Sequence, residues 1–365
     1  MGTSSPELAQ FIEFDPVRTK CTKAELSNYL QKLSHFLETT PDDLDSSIVP
    51  SPIPNYSLVS STDFFTPSVC DPELQGRIAA ANVLSDIFAV GSIPINVLMI
   101  VGASTACTDI ERTTVTYLMM KGFSAACHEL GVKVTGGQTV LNPEFLIGGT
   151  AVALTPNNQL IRPTTAQKGD VIVLTKPLGT QVISNVAQWL EHASLSQKGY
   201  SNVSEHCLKQ WKRLTEVYNA SELAQIVSKS RHLANQMMAR VNNKSAEVMH
   251  INGATCCTDV TGFGILGHAS NLAERQTEDV DFVLDKLPCY QAAIMVNSVV
   301  DFGLSSGFSP ETSGGLMFTV AESKVEQVVS DLKQRGEFAF VVGKVVKGSR
   351  RAYLSGDVEI FAVDV

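Results

Sequence analysis

The chain has 365 residues, of which 44% are hydrophobic and 18% are charged, and its formal net charge is −9. This length exceeds what one hydrophobic core usually serves, so we expect two domains. The acidic balance, without any Lys/Arg-rich run, argues against a nucleic-acid partner, and the apolar runs Val97–Val101 and Val171–Leu174 are too short to span a membrane.

The amino end carries no secretory pattern. Residues 1–10 contain neither a basic segment nor an apolar stretch, so we expect no signal peptide. The eight cysteines are scattered without a C-x-x-C spacing, which is typical of reduced thiols and predicts a cytoplasmic protein. After irregular residues 1–20, apolar side chains at helical spacing predict a helix over Thr22–Glu38.

Residues 41–157 have the pattern of an α/β or α+β domain. Asp71 and Pro72 offer an N-cap and a first-turn proline for one helix, and Thr108 with Glu111 form a capping box for another. Strand-like segments alternate with these helices. The predicted elements are a strand over Asn55–Phe65, a helix to Ala89, a strand over Asn96–Gly102, a helix to Gly131, and strands at Val132–Val134 and Gly148–Leu154.

The second half of the chain begins after residues 155–168, whose Pro, Asn and Thr content predicts a boundary before the strand that starts at Asp170. A long helical region then reaches about His250, and within it the polar residues 190–222 predict a surface excursion. The chain closes with a helix in EQVVSDLKQRG and two strand-like segments. We therefore divide the chain into a segment of residues 1–40 and domains of residues 41–157 and 158–365.

One glycine-rich stretch, CTDVTGFGILGH, raises the possibility of a dinucleotide site. Gly262, Gly264 and Gly267 have the G-x-G-x-x-G spacing, and Asp281 lies where a ribose-binding acid would follow. Asp259 argues against that interpretation, because a carboxylate three residues before the first glycine would repel a pyrophosphate unless a cation lay between them. The stretch therefore points to a metal ion.

Four aspartates, Asp45, Asp63, Asp86 and Asp259, lie beside apolar segments. Asp86 follows Asn82 by four residues on a predicted helix with core-like neighbours, so both side chains leave one face and the aspartate needs a partner. Each aspartate alone is compatible with a cap or a turn. Together with phosphate-type glycine turns they favour Mg²⁺ held by oxygen ligands. No G-x-x-x-x-G-K-[ST] stretch occurs, which excludes a P-loop.

Six motifs in this order carry a resemblance to a known family. They are STDFF, GRIAAANVLSDIFAVG, TGGQTVLNP, LTKPLGTQV, TDVTGFGILGH and ETSGGL. Over about residues 41–365 the chain resembles the selenide, water dikinase (selenophosphate synthetase) family. The resemblance implies two α/β (α+β) domains of the aminoimidazole ribonucleotide synthetase type, with mixed sheets, helices on one face and a homodimer. It also implies that ATP, selenide and water give selenophosphate, AMP and phosphate, with Mg²⁺ and commonly K⁺.

The resemblance also assigns roles to particular residues. It implies that the four aspartates named above bind Mg²⁺ and phosphate, with Asp63 and Asp86 contacting the nucleotide as well. It places Asn82 and a turn at Gly136, Gly137 and Gln138 along the nucleotide site. On this interpretation the glycines after Asp259 form a turn beside a metal-bridged polyphosphate, and Asp281 is an ordinary surface acid.

The amino end departs from the family pattern. The family has a Gly-rich loop, G-x-[C or Sec or other]-G-C-K, whose reactive Cys or selenocysteine and lysine are tied to catalysis. Here the segment FDPVRTKCTKAELSNYL contains no glycine. Cys21 and Lys23 are the candidates for that catalytic pair, with Lys20 as an alternative lysine. The alternative interpretation is purely structural: Cys21 is a small residue before a helix, and Lys23 is a solvated charge in the first turn of that helix.

Three functions remain open at this point. The first is selenophosphate synthesis by a cytoplasmic, Mg²⁺-dependent ATP-binding homodimer that takes selenide or a carrier-bound selenium. The second is a non-catalytic paralogue that keeps the nucleotide pocket and the dimer. The third is another ATP-using enzyme of the same superfamily, for example one that phosphorylates a thiamin precursor or closes a purine intermediate.

Overall fold

A five-stranded mixed sheet forms the first part of this computed structural model, which describes residue 40, residues 42–201 and residues 203–363. Its strand order is β1-β2-β5-β3-β4, and only the β3–β4 pair is parallel. The strands are β1 (Ser47–Pro50), β2 (Tyr56–Phe65), β3 (Asn96–Ser104), β4 (Lys133–Asn142) and β5 (Leu146–Pro156).

Two helices pack with this sheet, α1 (Pro72–Ala89) and α2 (Asp109–Glu129). The predicted caps are confirmed, since the Asp71 side chain accepts from the first turn of α1 and the Thr108–Glu111 capping box begins α2. The helices cross very closely. A Cβ added at Gly76 would lie 2.0 Å from the Met119 carbonyl oxygen, so this glycine sets the approach of α2 to α1.

The second sheet has six strands in the order β11-β8-β10-β6-β9-β7. It is also mixed, because β11 runs parallel to β8 while the other neighbours are antiparallel. The strands are β6 (Asp170–Leu174), β7 (Cys256–Asp259), β8 (Val280–Tyr290), β9 (Leu316–Ala321), β10 (Phe340–Lys347) and β11 (Ala352–Val363).

Helices fill most of the remaining second half. They are α3 (Thr180–Gln197), α4 (Glu205–Thr215), α5 (Ala220–Ala239), α6 (Asn243–Asn252), α7 (Gly264–Arg275), α8 (Gln291–Asn297) and α9 (Val325–Gln334). The predicted surface location of residues 190–222 is confirmed, because most of the described residues there are exposed or half-buried, but the segment is helical and contributes to the core. The polar composition conceals an amphipathic helix, α4, whose Cys207, Trp211 and Leu214 are buried in the same core as Trp189 of α3.

The core of the first half continues into the second half. Helix α1 is buried along almost its whole length, and the apolar cluster around it includes Val173, Phe318 and Val320 from the second sheet. The fold class, α/β with mixed sheets, is confirmed. The domain boundary at residues 157/158 stays a prediction, although the two sheets lie on either side of it. No helix among the described residues is long and apolar enough to cross a membrane.

Candidate metal and nucleotide site

Three of the predicted aspartates converge at one point between the two sheets. Asp45, Asp86 and Asp259 each offer a carboxylate oxygen, and these oxygens lie within 4.8 Å of one another. Asp45 precedes β1, Asp86 lies in the last turn of α1, and Asp259 ends β7. Three segments far apart in sequence therefore contribute one acidic cluster.

Hydroxyl groups orient the three carboxylates. Thr258 Oγ donates to Asp45 Oδ1 at 2.8 Å, and Ser61 Oγ donates to Asp86 Oδ2. The Ser85 hydroxyl lies close enough to Asp259 to lower the pKa of that carboxyl group, and it accepts from Asn242 Nδ2 at 2.9 Å. Sequence reasoning missed all three hydroxyls because Ser and Thr are common beside any strand or helix end.

Burial and mutual repulsion make the cluster reluctant to ionise fully. Burial raises the pKa of Asp45 and of Asp86 well above the usual range, and the charge of Asp259 raises both further. Burial also raises the pKa of Asp259 to about 6, although the hydrogen bond from Ser85 opposes this shift. A cation placed among these oxygens would reverse that preference, because it favours the charged form of each carboxyl group.

Two buried oxygens of the cluster have no hydrogen-bond partner, Oδ2 of Asp45 and Oδ2 of Asp259. Buried carboxylate oxygens are normally satisfied, so an orphaned one needs a specific explanation. Anionic oxygens are the preferred donors for Mg²⁺. The residues present therefore fit a hard divalent cation.

Asp63 lies beside the cluster on β2, and Asn82 connects it to α1. Asn82 Nδ2 donates to Asp63 Oδ2 at 2.8 Å, while Asn82 Oδ1 accepts from the backbone N–H of Ser313 at 3.1 Å. Asn82 and Asp86 lie four residues apart on α1, as predicted. Asn82 hydrogen-bonds Asp63, whereas Asp86 belongs to the acidic cluster. The structure brings Asp63, Asn82 and the three clustered aspartates to one side of α1.

The prediction of a turn at Gly136–Gln138 is wrong. These residues lie within β4, which runs through the twin glycines with a shift in its register to β3. Gly137 has φ of +143°, and a Cβ there would lie 1.8 Å from the Met99 carbonyl oxygen. Gly137 shares a row of the sheet with Asp63, three strands away or about 14 Å. The glycines thus allow an irregular strand, apart from the acidic cluster.

The glycines that follow Asp259 allow neighbouring chain segments to pack closely. Gly264 begins α7 with φ of +70°, and a Cβ there would lie 2.6 Å from the Gly307 carbonyl oxygen. The prediction that Asp281 is a surface acid is wrong. Its side chain is buried, and Oδ1 accepts from the backbone N–H groups of Ser349 and Arg351, so it holds the connection between β10 and β11.

Two further glycine motifs, TKPLGT and ETSGGL, turn out to contact each other. Glu311 is buried, and its carboxylate accepts from the backbone N–H groups of Gly179 and Thr180 at 2.6 and 2.8 Å. A carboxylate at the first N–H groups of a helix is favourable, and here it caps α3. The anion at this turn is therefore the protein's own side chain. The predicted catalytic residues Cys21 and Lys23, with the alternative Lys20, lie outside the described residues.

Two domain families match most of this chain. Residues 45–155 match the AIR synthase related protein N-terminal domain, and residues 167–354 match its C-terminal domain. Thiamine monophosphate kinase from Aquifex aeolicus shares the fold, with 17% identity and a TM-score of 0.60 over 92% of this chain and 98% of that one. The hydrogenase maturation protein HypE in complex with ATP has a TM-score of 0.57 and 16% identity over 90% of each chain.

Curated relatives are much more similar in sequence. The chain is 43% identical over 296 residues to a selenide, water dikinase of Trypanosoma brucei brucei, covering 80% of this chain and 71% of the relative. It is 35% identical over 346 residues to that of Dictyostelium discoideum, covering 94% and 88%. With selenide, water dikinase 2 of mouse the identity is 41%, and the match covers 85% of this chain and 66% of the relative's length. The resemblance drawn from the six motifs is confirmed, and this chain belongs to the selenide, water dikinase family.

Proposed function

We propose that this chain synthesises selenophosphate from ATP, selenide and water, releasing AMP and phosphate. The observation that carries the proposal is the convergence of Asp45, Asp86 and Asp259 with two unsatisfied carboxylate oxygens, in a chain of this family. Such a site repels a polyphosphate until cations neutralise it. The chemistry it suits is therefore metal-dependent phosphoryl transfer.

Mg²⁺ is the proposed resident cation, held by the three clustered aspartates with Asp63 beside them. Bound there, Mg²⁺ would neutralise phosphate charge and supply electrophilic assistance to phosphoryl transfer. The chain's own part is to hold the carboxylates rigidly. Thr258 and Ser61 each donate a hydrogen bond to one carboxylate, and one oxygen of each clustered aspartate lies within 4.8 Å of the others.

We propose that residues near the amino end act on the selenium nucleophile. Cys21 would reach the phosphate as a thiolate beside the incoming selenide, without a bond to selenium, and Lys20 or Lys23 would lower the pKa of that thiol and offset the charge of the transferring phosphate. We expect Cys21→Ser to abolish selenide-dependent AMP formation while ATP binding, measured by calorimetry, is unchanged. We expect Lys23→Ala to slow ATP cleavage. Wild-type rates in both variants would favour the alternative interpretation, in which neither residue takes part in catalysis.

We also propose a homodimer formed through the open face of the first sheet. Leu58 of β2 and Leu98 of β3 point away from α1 on this face, with β5 between their strands, and are 39% and 42% exposed, while Val59 and Val97 beside them are fully buried on the other side. Patches of this kind usually mark an interface. Sedimentation at micromolar concentration tests the dimer, and a monomer would contradict it.

The decisive experiment is ³¹P NMR of ATP incubated with the protein in Mg²⁺ and K⁺, with and without selenide. We expect a selenophosphate signal together with equal amounts of AMP and phosphate, and only when selenide is present. ATP binding without AMP release would instead favour the non-catalytic paralogue. Turnover of thiamin monophosphate in place of selenide would favour the third function.

A further inference from the structure

A buried lysine that has no role so far lies beneath the ETSGGL loop. Lys176 follows β6 and is 2% exposed. Its Nζ donates to the carbonyl oxygens of Ser313 at 2.9 Å and Arg240 at 2.7 Å. A buried ammonium group is costly unless hydrogen bonds replace its water, so both carbonyl groups are held at fixed positions around it.

The loop that Lys176 holds has an unfavourable backbone conformation. Ser313 has φ of +47°, in the left-handed region, which is unfavourable for a non-glycine residue. Two residues on, a Cβ at Gly315 would lie 2.4 Å from the backbone nitrogen of Lys176. Thr175 Oγ accepts from the N–H of Leu316 at 2.9 Å. The end of β6 therefore determines the conformation of this loop.

The backbone N–H of Ser313 connects this loop to the acidic site. The N–H of Ser313 donates to Asn82 Oδ1 at 3.1 Å, and Asn82 Nδ2 donates to Asp63 Oδ2 at 2.8 Å. Because a backbone N–H can only donate, it fixes which end of the Asn82 amide faces it. The NH₂ end must then face Asp63. A chain of three hydrogen bonds thus connects the Lys176 ammonium to a carboxylate of the site.

We propose that Lys176 is a positioning residue for the carboxylate site, which acts through the Ser313 backbone and the Asn82 amide to orient Asp63. The inference rests on the proposed function, since it presumes that the site binds a divalent cation. It assigns to TKPLGT a part in metal binding beyond the helix cap described above. Lys176 itself contacts neither the carboxylates nor, by this proposal, the metal.

The sign of the effect separates positioning from simple electrostatics. Burial lowers the pKa of Lys176 to about 7, so below that pH its ammonium group attracts Asp259, and removing the ammonium leaves the cluster more negative. By charge alone, Lys176→Met would strengthen the binding of a divalent cation. If Lys176 orients Asp63, the same substitution weakens binding, because a residue that supports a ligand from behind typically contributes about 10-fold to 100-fold in metal affinity.

The test is a Mn²⁺ titration of the full chain, with free Mn²⁺ measured by electron paramagnetic resonance. We expect Lys176→Met to weaken Mn²⁺ binding about 10-fold in the wild-type background and less than 2-fold in an Asn82→Ala background. The matched control is Lys244→Met, because exposed Lys244 also donates to a backbone carbonyl, that of Arg335, away from the loop. We expect its Mn²⁺ affinity to be that of wild type.

Three results would overturn the proposal. They are unchanged or tighter Mn²⁺ binding by Lys176→Met, an equal loss with and without Asn82, and an equal loss in Lys244→Met. Should Lys176→Met lack a cooperative thermal transition, Lys176→Gln is measured in its place, and the same comparisons decide. Wild-type protein that binds no Mn²⁺ would overturn the metal site and this inference together, whereas wild-type binding with an unaffected Lys176 variant overturns the inference alone.

Discussion

Two buried carboxylate sites in this molecule differ in how their oxygens are satisfied. Glu311 and Asp259 are each 1% exposed. Both oxygens of Glu311 accept hydrogen bonds from the first residues of α3. Asp259, in contrast, has one oxygen without a partner and faces two further aspartates. These two carboxylates are therefore buried to the same extent, but one is surrounded by hydrogen-bond donors and the other by further carboxylates.

The difference separates a structural acid from one that we propose binds a ligand. A carboxylate that accepts several backbone N–H groups is stabilised in its charged form and needs nothing further. A cluster of carboxylates with orphaned oxygens costs stability until something neutralises it. Both acids lie beside glycine-rich motifs, so the motifs alone do not distinguish them. Substitutions at the two sites should then have opposite consequences for binding and stability.

The largest effect is expected when the unsatisfied site loses a ligand. Asp259→Asn should reduce Mg²⁺-dependent AMP formation by roughly 1,000-fold, about 4 kcal/mol of transition-state free energy. Steady-state rates with ATP and selenide measure this loss. The matched control is Asp281→Asn, which retains the oxygen that accepts from Ser349 and Arg351. Equal losses in both variants would mean that burial, not the cluster, explains the effect.

The satisfied site should respond mainly in stability. Glu311→Ala leaves the N–H groups of Gly179 and Thr180 buried without their acceptor, and should lower the free energy of unfolding by about 3 kcal/mol. Chemical denaturation measures this change. Glu322→Ala, at an exposed position, is the control and should leave stability unchanged. A wild-type midpoint for Glu311→Ala would contradict the assignment of a helix cap.

The pH dependence of stability should reveal the unsatisfied cluster. The pKa of Asp259 is raised on folding from 3.8 to about 6, so the native state binds more protons than the unfolded state between these values. Its contribution to stability is present below pH 3.8 and is lost as pH rises through about 6. Thermal unfolding in EDTA should therefore show a decline over this window, and Asp259→Asn should flatten it.

Mg²⁺ should reverse that decline above pH 6. At 100 times its dissociation constant a ligand specific for the native state adds about 2.7 kcal/mol. Melting curves at pH 7 with and without Mg²⁺ give the size of the shift. An identical shift at pH 4.5, where the cluster holds its protons, would contradict binding at these aspartates.

The smallest expected effect is a gain. Asp45→Asn removes one of the mutually repelling charges, and should stabilise the metal-free protein by about 1 kcal/mol while it weakens the Mg²⁺ response. Differential scanning calorimetry in EDTA measures the gain. Asp109→Asn, at an exposed position, is the control and should show neither change. Destabilisation by Asp45→Asn would indicate that Asp45 is structural, like Glu311.

Local sequence signals predicted the elements that carry the site. The Asp71–Pro72 start of α1 and the Thr108–Glu111 box of α2 depend on neighbours within a single turn, so the chain specifies them without its fold. The four-residue spacing of Asn82 and Asp86 likewise follows from helical geometry. The six motifs together were specific enough to identify the family.

Tertiary structure alone decided which acids meet and which are satisfied. Asp45, Asp86 and Asp259 are brought together by contacts between residues more than 200 positions apart at the extreme, and no local pattern encodes a separation of that kind. The same is true of Glu311, whose donors lie more than 130 residues away, and of Asp281, whose burial depends on a strand connection near the carboxyl end. Composition reports how polar a residue is, whereas only packing determines what its polar atoms face.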